Sequence, residues 1–300
     1  MSKILLTGGT GYIGLKVLNA LIDREDSVTL LIRPSTNTSD LPMQCSTFIY
    51  DGNCESLYTF FDEERFDGVL HLASLSKIRV HKTKDIEALI SSNIILSTVL
   101  LDISTKTKVK WFLNVGTFWQ HFDNEKYSPV NLYAATKESF ITIAKYYVDT
   151  SSIRFNTLML NDTYGQDDSR SKIFNLWFNL LISHEILKMS PGEQIIDLCY
   201  IDDVVNAFLI MVKLLESKEN CIDSMERFAV YSSERMTLRE MAQKFESIVG
   251  RSLPIAWGAV PYRNRDVMIP QNHIRGVPGW VARVSFEEGI KRIIKKNMEK

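Results

Sequence analysis

Tyr133 and Lys137 lie four residues apart in the run Asn131-Leu132-Tyr133-Ala134-Ala135-Thr136-Lys137. On a helix, positions i and i+4 share one face, so the phenol and the ammonium would stand together. An ordinary tyrosine hydroxyl titrates near ~10, too high for efficient proton transfer at neutral pH. A neighbouring ammonium favours the phenolate and is expected to lower that value. Such a pair exchanges a proton with the oxygen of a carbinol or a ketone. Thr117, in Asn114-Val115-Gly116-Thr117-Phe118-Trp119, follows an apolar run. Its hydroxyl can donate to the same oxygen, an oxyanion-type role. Thr117, Tyr133 and Lys137 are the candidate catalytic residues. The YxxxK spacing is weak by itself; a strand and a threonine ahead of it make it far more specific.

A second constellation opens the chain. Gly8, Gly11 and Gly14 give a GxxGxxG spacing in Thr7-Gly8-Gly9-Thr10-Gly11-Tyr12-Ile13-Gly14. A tight strand-to-helix turn needs a residue without Cβ, and phosphates must come close to its backbone. The helix N-terminus then offers unpaired N–H groups to a pyrophosphate. Gly8, Thr10, Gly11, Tyr12, Ile13 and Gly14 therefore read as a dinucleotide site. The Tyr133/Lys137 pair would stand beside the nicotinamide, with Lys137 also reaching its ribose hydroxyls. The second apolar run, Val28-Thr29-Leu30-Leu31-Ile32, ends in Arg33. A carboxylate there would bind a ribose 2′-hydroxyl, whereas an arginine accommodates a 2′-phosphate. NADP(H) is expected over NAD(H). Asp51 is expected at the adenine edge. Leu72 and Ala73 are expected at the carboxyl end of a later strand, where ligands bind in such sheets. His71 just before them reads as a structural histidine.

These residues need a scaffold, and the apolar pattern supplies one. Residues 3–7, 27–32, 47–50, 66–72, 109–115 and 152–160 read as strands, and 12–23, 85–104 and 133–148 as helices. Alternation of this kind predicts an α/β fold, a Rossmann-type doubly wound parallel sheet covered on both faces. Residues 1–165 are expected to form the dinucleotide-binding domain. Helices are expected at 172–187, 202–215 and 237–249, with Gly250 as a C-cap. Pro254, Pro261, Pro270 and Pro278 break up the tail. Residues 166–300 are expected to form a smaller substrate-binding lobe, with some segments returning to the first domain. Asp202 and Asp203 are expected to cap the helix after them. Trp119, Trp177 and Phe178 could wall the substrate site, Trp177 reading at least as well as core.

Composition narrows the function classes. The 300 residues carry a net charge of -1, with 45% hydrophobic and 24% charged residues. That balance gives no electrostatic reason to expect nucleic acid or an anionic membrane as partner. Cys45, Cys54, Cys199 and Cys221 form no CxxC pair, so neither a metal site nor a redox motif is expected. No run of ~18 apolar residues predicts a membrane span. A reducing, cytoplasmic location is the default expectation.

The chain resembles the extended short-chain dehydrogenase/reductases, in their NAD-dependent epimerase/dehydratase branch. The resemblance rests on the glycine turn, the Thr117–Tyr133–Lys137 set, and Asp67 to Ala73 as a fourth strand. It extends to Asn93 in a central helix, Tyr164-Gly165, the stretch from Gly192 to Val204, and Arg263. Within the branch it is most similar to CDP-3,6-dideoxyhexose synthases of the abequose and paratose type. The cues are Phe112-Leu113-Asn114 and Gly192 to Leu209. The resemblance implies NADPH-dependent reduction of a 4-keto group on a nucleotide-linked deoxyhexose, in surface-polysaccharide (lipopolysaccharide O-antigen) biosynthesis. It implies substrate contacts from Thr117, Asp162, Lys172 and Arg263, and a homodimer built through a four-helix bundle.

Two departures stand out. Where such proteins commonly carry arginines, this chain has Met159 and Ile196, with Arg154, Lys172, Arg263 and Arg265 as possible replacements. Thr117 is followed by Phe118-Trp119-Gln120 and not by an Asp-Glu pair, which disfavours dehydration. An epimerase that retains its NAD(P), and a dinucleotide-binding protein without catalysis, are the other readings the sequence leaves open.

Overall fold

Strands buried on both faces must be continuous apolar runs, and β1 (Lys3–Thr7) is one, with Ile4, Leu5 and Leu6 fully buried. The computed structural model describes residues 1–77, 82–170, 172–183, 185–217, 219 and 222–298; Cys221 lies outside them. The chain continues through α1 (Tyr12–Asp23), β2 (Ser27–Ile32), β3 (Ser46–Ile49), α2 (Cys54–Glu64) and β4 (Gly68–His71). Next come α3 (Thr83–Ile90), a π-helical turn (Ser91–Ile95) and α4 (Leu96–Lys106), which together make one continuous helix. β5 (Trp111–Thr117), α5 (Leu132–Thr150) and β6 (Arg154–Leu160) follow.

The second half holds β7 (Asp162–Tyr164), α6 (Ile173–Ser183), β8 (Leu187–Met189), β9 (Ile195–Tyr200) and α7 (Ile201–Glu216). Then come β10 (Arg227–Val230), β11 (Arg235–Thr237), α8 (Leu238–Val249), β12 (Ile255–Trp257) and α9 (Phe286–Met298). Seven strands form one parallel sheet in the order β10-β6-β5-β4-β1-β2-β3. The strand order turns back between β1 and β4, and the carboxyl ends of these strands are the switch point, the crevice where sheets of this kind take ligands. The fold is the expected doubly wound α/β sheet with smaller sheets beyond it, β11-β9-β7 and β12-β8. β10 comes late in the chain yet forms one edge of the main sheet.

Two cores cover the sheet. On one face Val17, Leu18 and Leu21 of α1 meet Phe208, Met211 and Val212 of α7. On the other, Leu57 and Phe61 of α2, Leu100 and Leu101 of α4 and Phe140 of α5 pack over Leu5, Val69 and Phe112. A third core joins α6, α8 and α9 through Phe174, Trp177, Phe245 and Ile290. Trp177 is fully buried there against Phe174 and Phe245, and Phe178 packs on Phe245, so neither faces a sugar site.

Several boundaries depart from expectation for identifiable reasons. α2 buries Leu57 and Phe61 fully and packs Phe60 on Phe48 and Phe66, a short apolar stripe; Asn53 starts it by accepting from the N–H groups of Glu55 and Ser56. The stretch 172–187 is divided between α6 and β8, since β8 pairs with the distant β12. Thr237 and Glu240 form a capping box on α8, and Gly250 closes it in the left-handed conformation at φ +70°. Asp202 and Asp203 do not cap α7, whose N-cap is Tyr200. Asp203 instead accepts from the N–H groups of Arg283 and Val284 (3.0 and 2.9 Å), and Asp202 pairs with Arg292.

The helix Thr83–Lys106 is long and apolar enough to cross a membrane by length and composition, where no span was expected. Its Leu89, Leu100, Leu101 and Ile103 are buried in the protein, which identifies a core helix. Ile86, Ile90 and Ile95 remain exposed.

Candidate functional site

The glycine turn connects β1 to α1 at the crevice. Gly8 adopts φ +73°, and a Cβ there would lie 2.7 Å from Ala73 N and 2.8 Å from Leu72 C. A Cβ on Gly14 would lie 2.1 Å from the Gly8 carbonyl. Both contacts are closer than packed atoms tolerate, so glycine is required where the turn meets the end of β4. Gly11 is the N-cap of α1 and supplies no side-chain acceptor, and the first turn carries no acid. Thr10 and Gly11 are exposed. The N–H groups at this helix end therefore point at open space with a partial positive charge, which suits a pyrophosphate.

Polar groups inside the sheet fix this edge. His71 is fully buried, with Nδ1 2.8 Å from Thr7 Oγ1 and Nε2 2.8 Å from Ser97 Oγ. Ser97 donates to the Asn93 carbonyl (2.9 Å), and Thr7 Oγ1 accepts from the Ala73 N–H (3.0 Å). These partners assign the proton to Nε2, with Nδ1 accepting from Thr7. Burial first, and then the charge of Lys137, push the imidazole down to about 3, so it stays neutral. His71 thus ties Thr7, the residue before the glycine turn, to α4.

Tyr133 and Lys137 occupy the first turns of α5, which Asn131 starts by accepting from the Ala134 N–H (3.0 Å). Lys137 is 4% exposed, and burial alone lowers its ammonium to about 8. The predicted lowering of Tyr133 is not found. Burial raises the phenol, and only the Ser74 hydroxyl pulls the other way. The charge of Lys137 acts on the buried His71, and no effect of it on Tyr133 is found. Asn93 braces the same place from the π-helical turn. Its Oδ1 accepts from Ser74 (3.1 Å) and from the Leu75 N–H (2.8 Å); its Nδ2 donates to the Leu75 carbonyl (3.1 Å) and to Thr136 (3.0 Å). The widened turn aims this amide inward, a common use of a π-bulge.

Thr117 is the last residue of β5 rather than just past it, and is 8% exposed. Its hydroxyl accepts from the Trp119 N–H (3.4 Å), and its own N–H donates to Gln120 Oε1 (2.9 Å). Trp119 meets the Tyr133 ring edge-on, with centroids 6.5 Å apart. Tyr12 opens α1, donates to the Gln166 carbonyl (3.1 Å), and carries the Arg170 guanidinium 4.6 Å over its ring. Ile13 is half-buried behind it.

Other predicted residues are spread more widely. Arg33 is exposed at the end of β2, its backbone closed in a turn with Thr36. Asp51 is exposed, and its carboxylate accepts from the Asn53 N–H (3.0 Å). Asp162 and Lys172 pair with each other at 3.0 Å. Arg263 is exposed, while Arg265 stacks over Phe122 and donates to Ser128 and the Pro129 carbonyl. Arg154 donates to the Ser217 carbonyl at the amino end of β6, the opposite end of the sheet from the crevice. Met159 is buried beside Ala229 and Ile274, and Ile196 packs in the third core. Among the described residues no cluster of metal-ligating side chains is present. Ser74 and Gln120 were not singled out in the sequence. Ser74 carries no local signal, its partner Asn93 lying 19 residues on, whereas Thr117 and Gln120 have the spacing of a capping box, a signal that could have found Gln120.

Comparison with known proteins bears on the family and the fold. A family model described as "NAD dependent epimerase/dehydratase family" matches residues 4–222. A CDP-abequose synthase from Yersinia pseudotuberculosis is 29% identical over 295 residues, covering 98% of this chain and 100% of the relative. The CDP-abequose synthase of Salmonella typhimurium is 26% identical over 299 residues, covering 98% and 97%. Among solved structures, a UDP-glucose 4-epimerase from Thermotoga maritima superposes with a TM-score of 0.83 at 23% identity, covering 99% of each chain. That last likeness speaks for the fold alone.

Proposed function

This chain belongs to the NAD dependent epimerase/dehydratase family, and from that premise we propose that it is an NADPH-dependent 4-ketoreductase of a nucleotide-linked deoxyhexose. The observation that carries the reading is the half-buried phenol of Tyr133, set against Trp119 on the same α5 face as the buried Lys137. Reduction needs a proton donor at the carbonyl oxygen, and a phenol holds a proton to give at neutral pH. Similarity to CDP-abequose synthases over almost the full length supports a reductase of this class.

The chain's own groups fit a nicotinamide dinucleotide. The close approach at Gly8 and Gly14 and the uncapped start of α1 suit its pyrophosphate. Lys137 has no hydrogen-bond acceptor of its own among the described residues, and ribose hydroxyls would supply one. Arg33, exposed with no carboxylate beside it in the sequence, favours the 2′-phosphate of NADP(H). When bound, the nicotinamide supplies the hydride. Tyr133 gives its proton to the substrate O4. Thr117 holds that oxygen by donating its hydroxyl proton. Asp162, Lys172 and Arg263 are proposed to face the nucleotide-sugar. The exposed Ile86, Ile90 and Ile95 are proposed to meet a second copy of the chain across a two-fold axis.

The test is NADPH oxidation against CDP-, dTDP-, UDP- and GDP-linked 4-keto deoxyhexoses. Turnover with at least one of them is expected, faster with NADPH than with NADH. No oxidation, with nucleotide retained through purification, would point to an epimerase. Binding of the sugars with no turnover of either kind would leave a non-catalytic protein.

A further inference from the structure

A buried chain of hydrogen bonds connects the end of β5 to the helix that carries the Tyr/Lys pair. Thr117 N–H donates to Gln120 Oε1 at 2.9 Å. Gln120 Nε2 donates to Glu138 Oε2 at 2.5 Å. Glu138, the residue after Lys137 on α5, receives Arg227 of β10 through both carboxylate oxygens, at 2.9 and 2.6 Å. Gln120 is fully buried and the Glu138 side chain only 12% exposed. A Cβ on Gly116 would lie 2.3 Å from Met159 Sδ and 3.0 Å from Gln120 Oε1, so the glycine leaves room for the amide. Of the neutral side chains that span this gap, an amide accepts at one end and donates at the other.

We propose that Gln120 and Glu138, with Arg227 behind them, are positioning residues that hold Thr117 in register with Tyr133 and Lys137. This inference rests on the proposed role of those three residues. β5 and α5 are joined by a loop of two short turns, and Asp123 and Asn124 there have positive φ. Such a loop does not by itself fix the strand end against the helix. The relay does so with directional bonds, and the bidentate Arg227 contact keeps the carboxylate from rotating. A shift of about 1 Å in such a constellation can cost on the order of a hundredfold in rate.

The groups facing Glu138 are Gln120 after β5, Arg227 on β10 and His121, itself beside His273. In Gln120→Glu two carboxyl groups confront each other, and one must hold a proton to bridge. The double variant Gln120→Glu/Glu138→Gln reverses the order of carboxylate and amide and restores the bridge without it. The experiment measures kcat, KM and the pH profile of both variants, with hydrogen exchange at the Thr117 amide. Gln120→Glu is expected to lose at least tenfold in kcat at pH 8, with KM for NADPH within twofold. It should recover as pH falls, and the Thr117 amide should exchange faster at pH 8. The double variant should regain kcat and amide protection with no added pH dependence. Unchanged Thr117 exchange in Gln120→Glu overturns the relay. Faster exchange with unchanged kcat overturns its positioning role. If the unaltered protein reduces no keto sugar, the reductase reading fails by itself, and the exchange data still decide whether the relay holds the strand end.

Discussion

The ammonium of Lys137 acts on the imidazole of His71 and not on the phenol of Tyr133 one turn earlier. Shared helical face brought the pair to notice, but the effect of the ammonium falls on the buried histidine at the end of β4. Burial and the Lys137 charge together hold His71 neutral, while burial alone lowers Lys137. His71 responds by remaining uncharged within its hydrogen bonds to Thr7 and Ser97. Lys137 responds with a pKa near 8, and so is poised for a ligand that brings acceptors.

A pH dependence follows, and its sign is fixed by the depressed value. The unfolded lysine titrates near 10.5 and the folded one near 8. Below about pH 8 the folded protein bears the full penalty of a buried charge, and that penalty fades as pH rises toward 10.5. Lys137→Met should therefore be more stable than the unaltered protein at pH 7, by up to about 3 kcal/mol. The gain should vanish near pH 10.5. In the unaltered protein, dinucleotide affinity should fall by up to about tenfold per pH unit above 8, since binding draws on the charged form. Denaturant unfolding and fluorescence titration would check both. A destabilised Lys137→Met protein at pH 7 would refute the account.

Tyr133→Phe keeps the ring that meets Trp119 and removes only the proton donor. General-acid groups contribute about 10²–10⁴-fold, and a kcat loss of that size is expected. The dissociation constant for NADPH should stay within about twofold, since the proposed phosphate and ribose contacts come from α1 and Lys137. Stopped-flow NADPH oxidation under single-turnover conditions isolates the step. Unimpaired hydride transfer in this variant would mean that the proton comes from elsewhere.

Much of the nucleotide half was legible because its signals are local. The run before Gly8, the glycine spacing and the periodicity of α1 all lie within two dozen residues and point the same way. The strands β7, β8, β11 and β12 are three residues each, too short for a pattern, and exist only because a distant partner completes them. Asp203 resembles a cap because it follows a strand and precedes a helix; its real partners lie about 80 residues later. The direction of Lys137 was likewise invisible, since spacing reports a shared face but not where a four-carbon chain ends. Gln120 was half legible, its capping-box spacing to Thr117 being local while its anchor lies 18 residues on and the brace behind that another 89.

Arg33 offers a test of cofactor choice that leaves the chemistry untouched. It is exposed at the end of β2, so Arg33→Ala should not alter folding. Hydrogen bonds to charged groups are worth about 1.5–3 kcal/mol, which corresponds to roughly 10–150-fold in affinity. That loss should fall on NADPH alone, with NADH unchanged, so the preference ratio collapses. Equal weakening of both nucleotides, or of neither, would show that the guanidinium never meets the 2′-phosphate.

The exposed apolar residues of the Thr83–Lys106 helix make the last prediction. Ile86 and Ile90 are 39% and 38% exposed and one turn apart, and Ile95, on the π-helical turn, is 56% exposed. Tyr146 of α5 is 65% exposed, and α5 packs beside α4. Two helices from each copy would bury this surface around a two-fold axis, and a stable interface needs about 800 Å² per partner. The unaltered protein should run in light scattering at twice 34.4 kDa. Ile90→Glu/Ile95→Glu places charges that a desolvated interface cannot accommodate and should give the single mass. Both side chains face away from the core, so the folded protomer should persist. A dimer that survives the double substitution would have to form through some other surface, and a monomeric unaltered protein would remove the interface altogether.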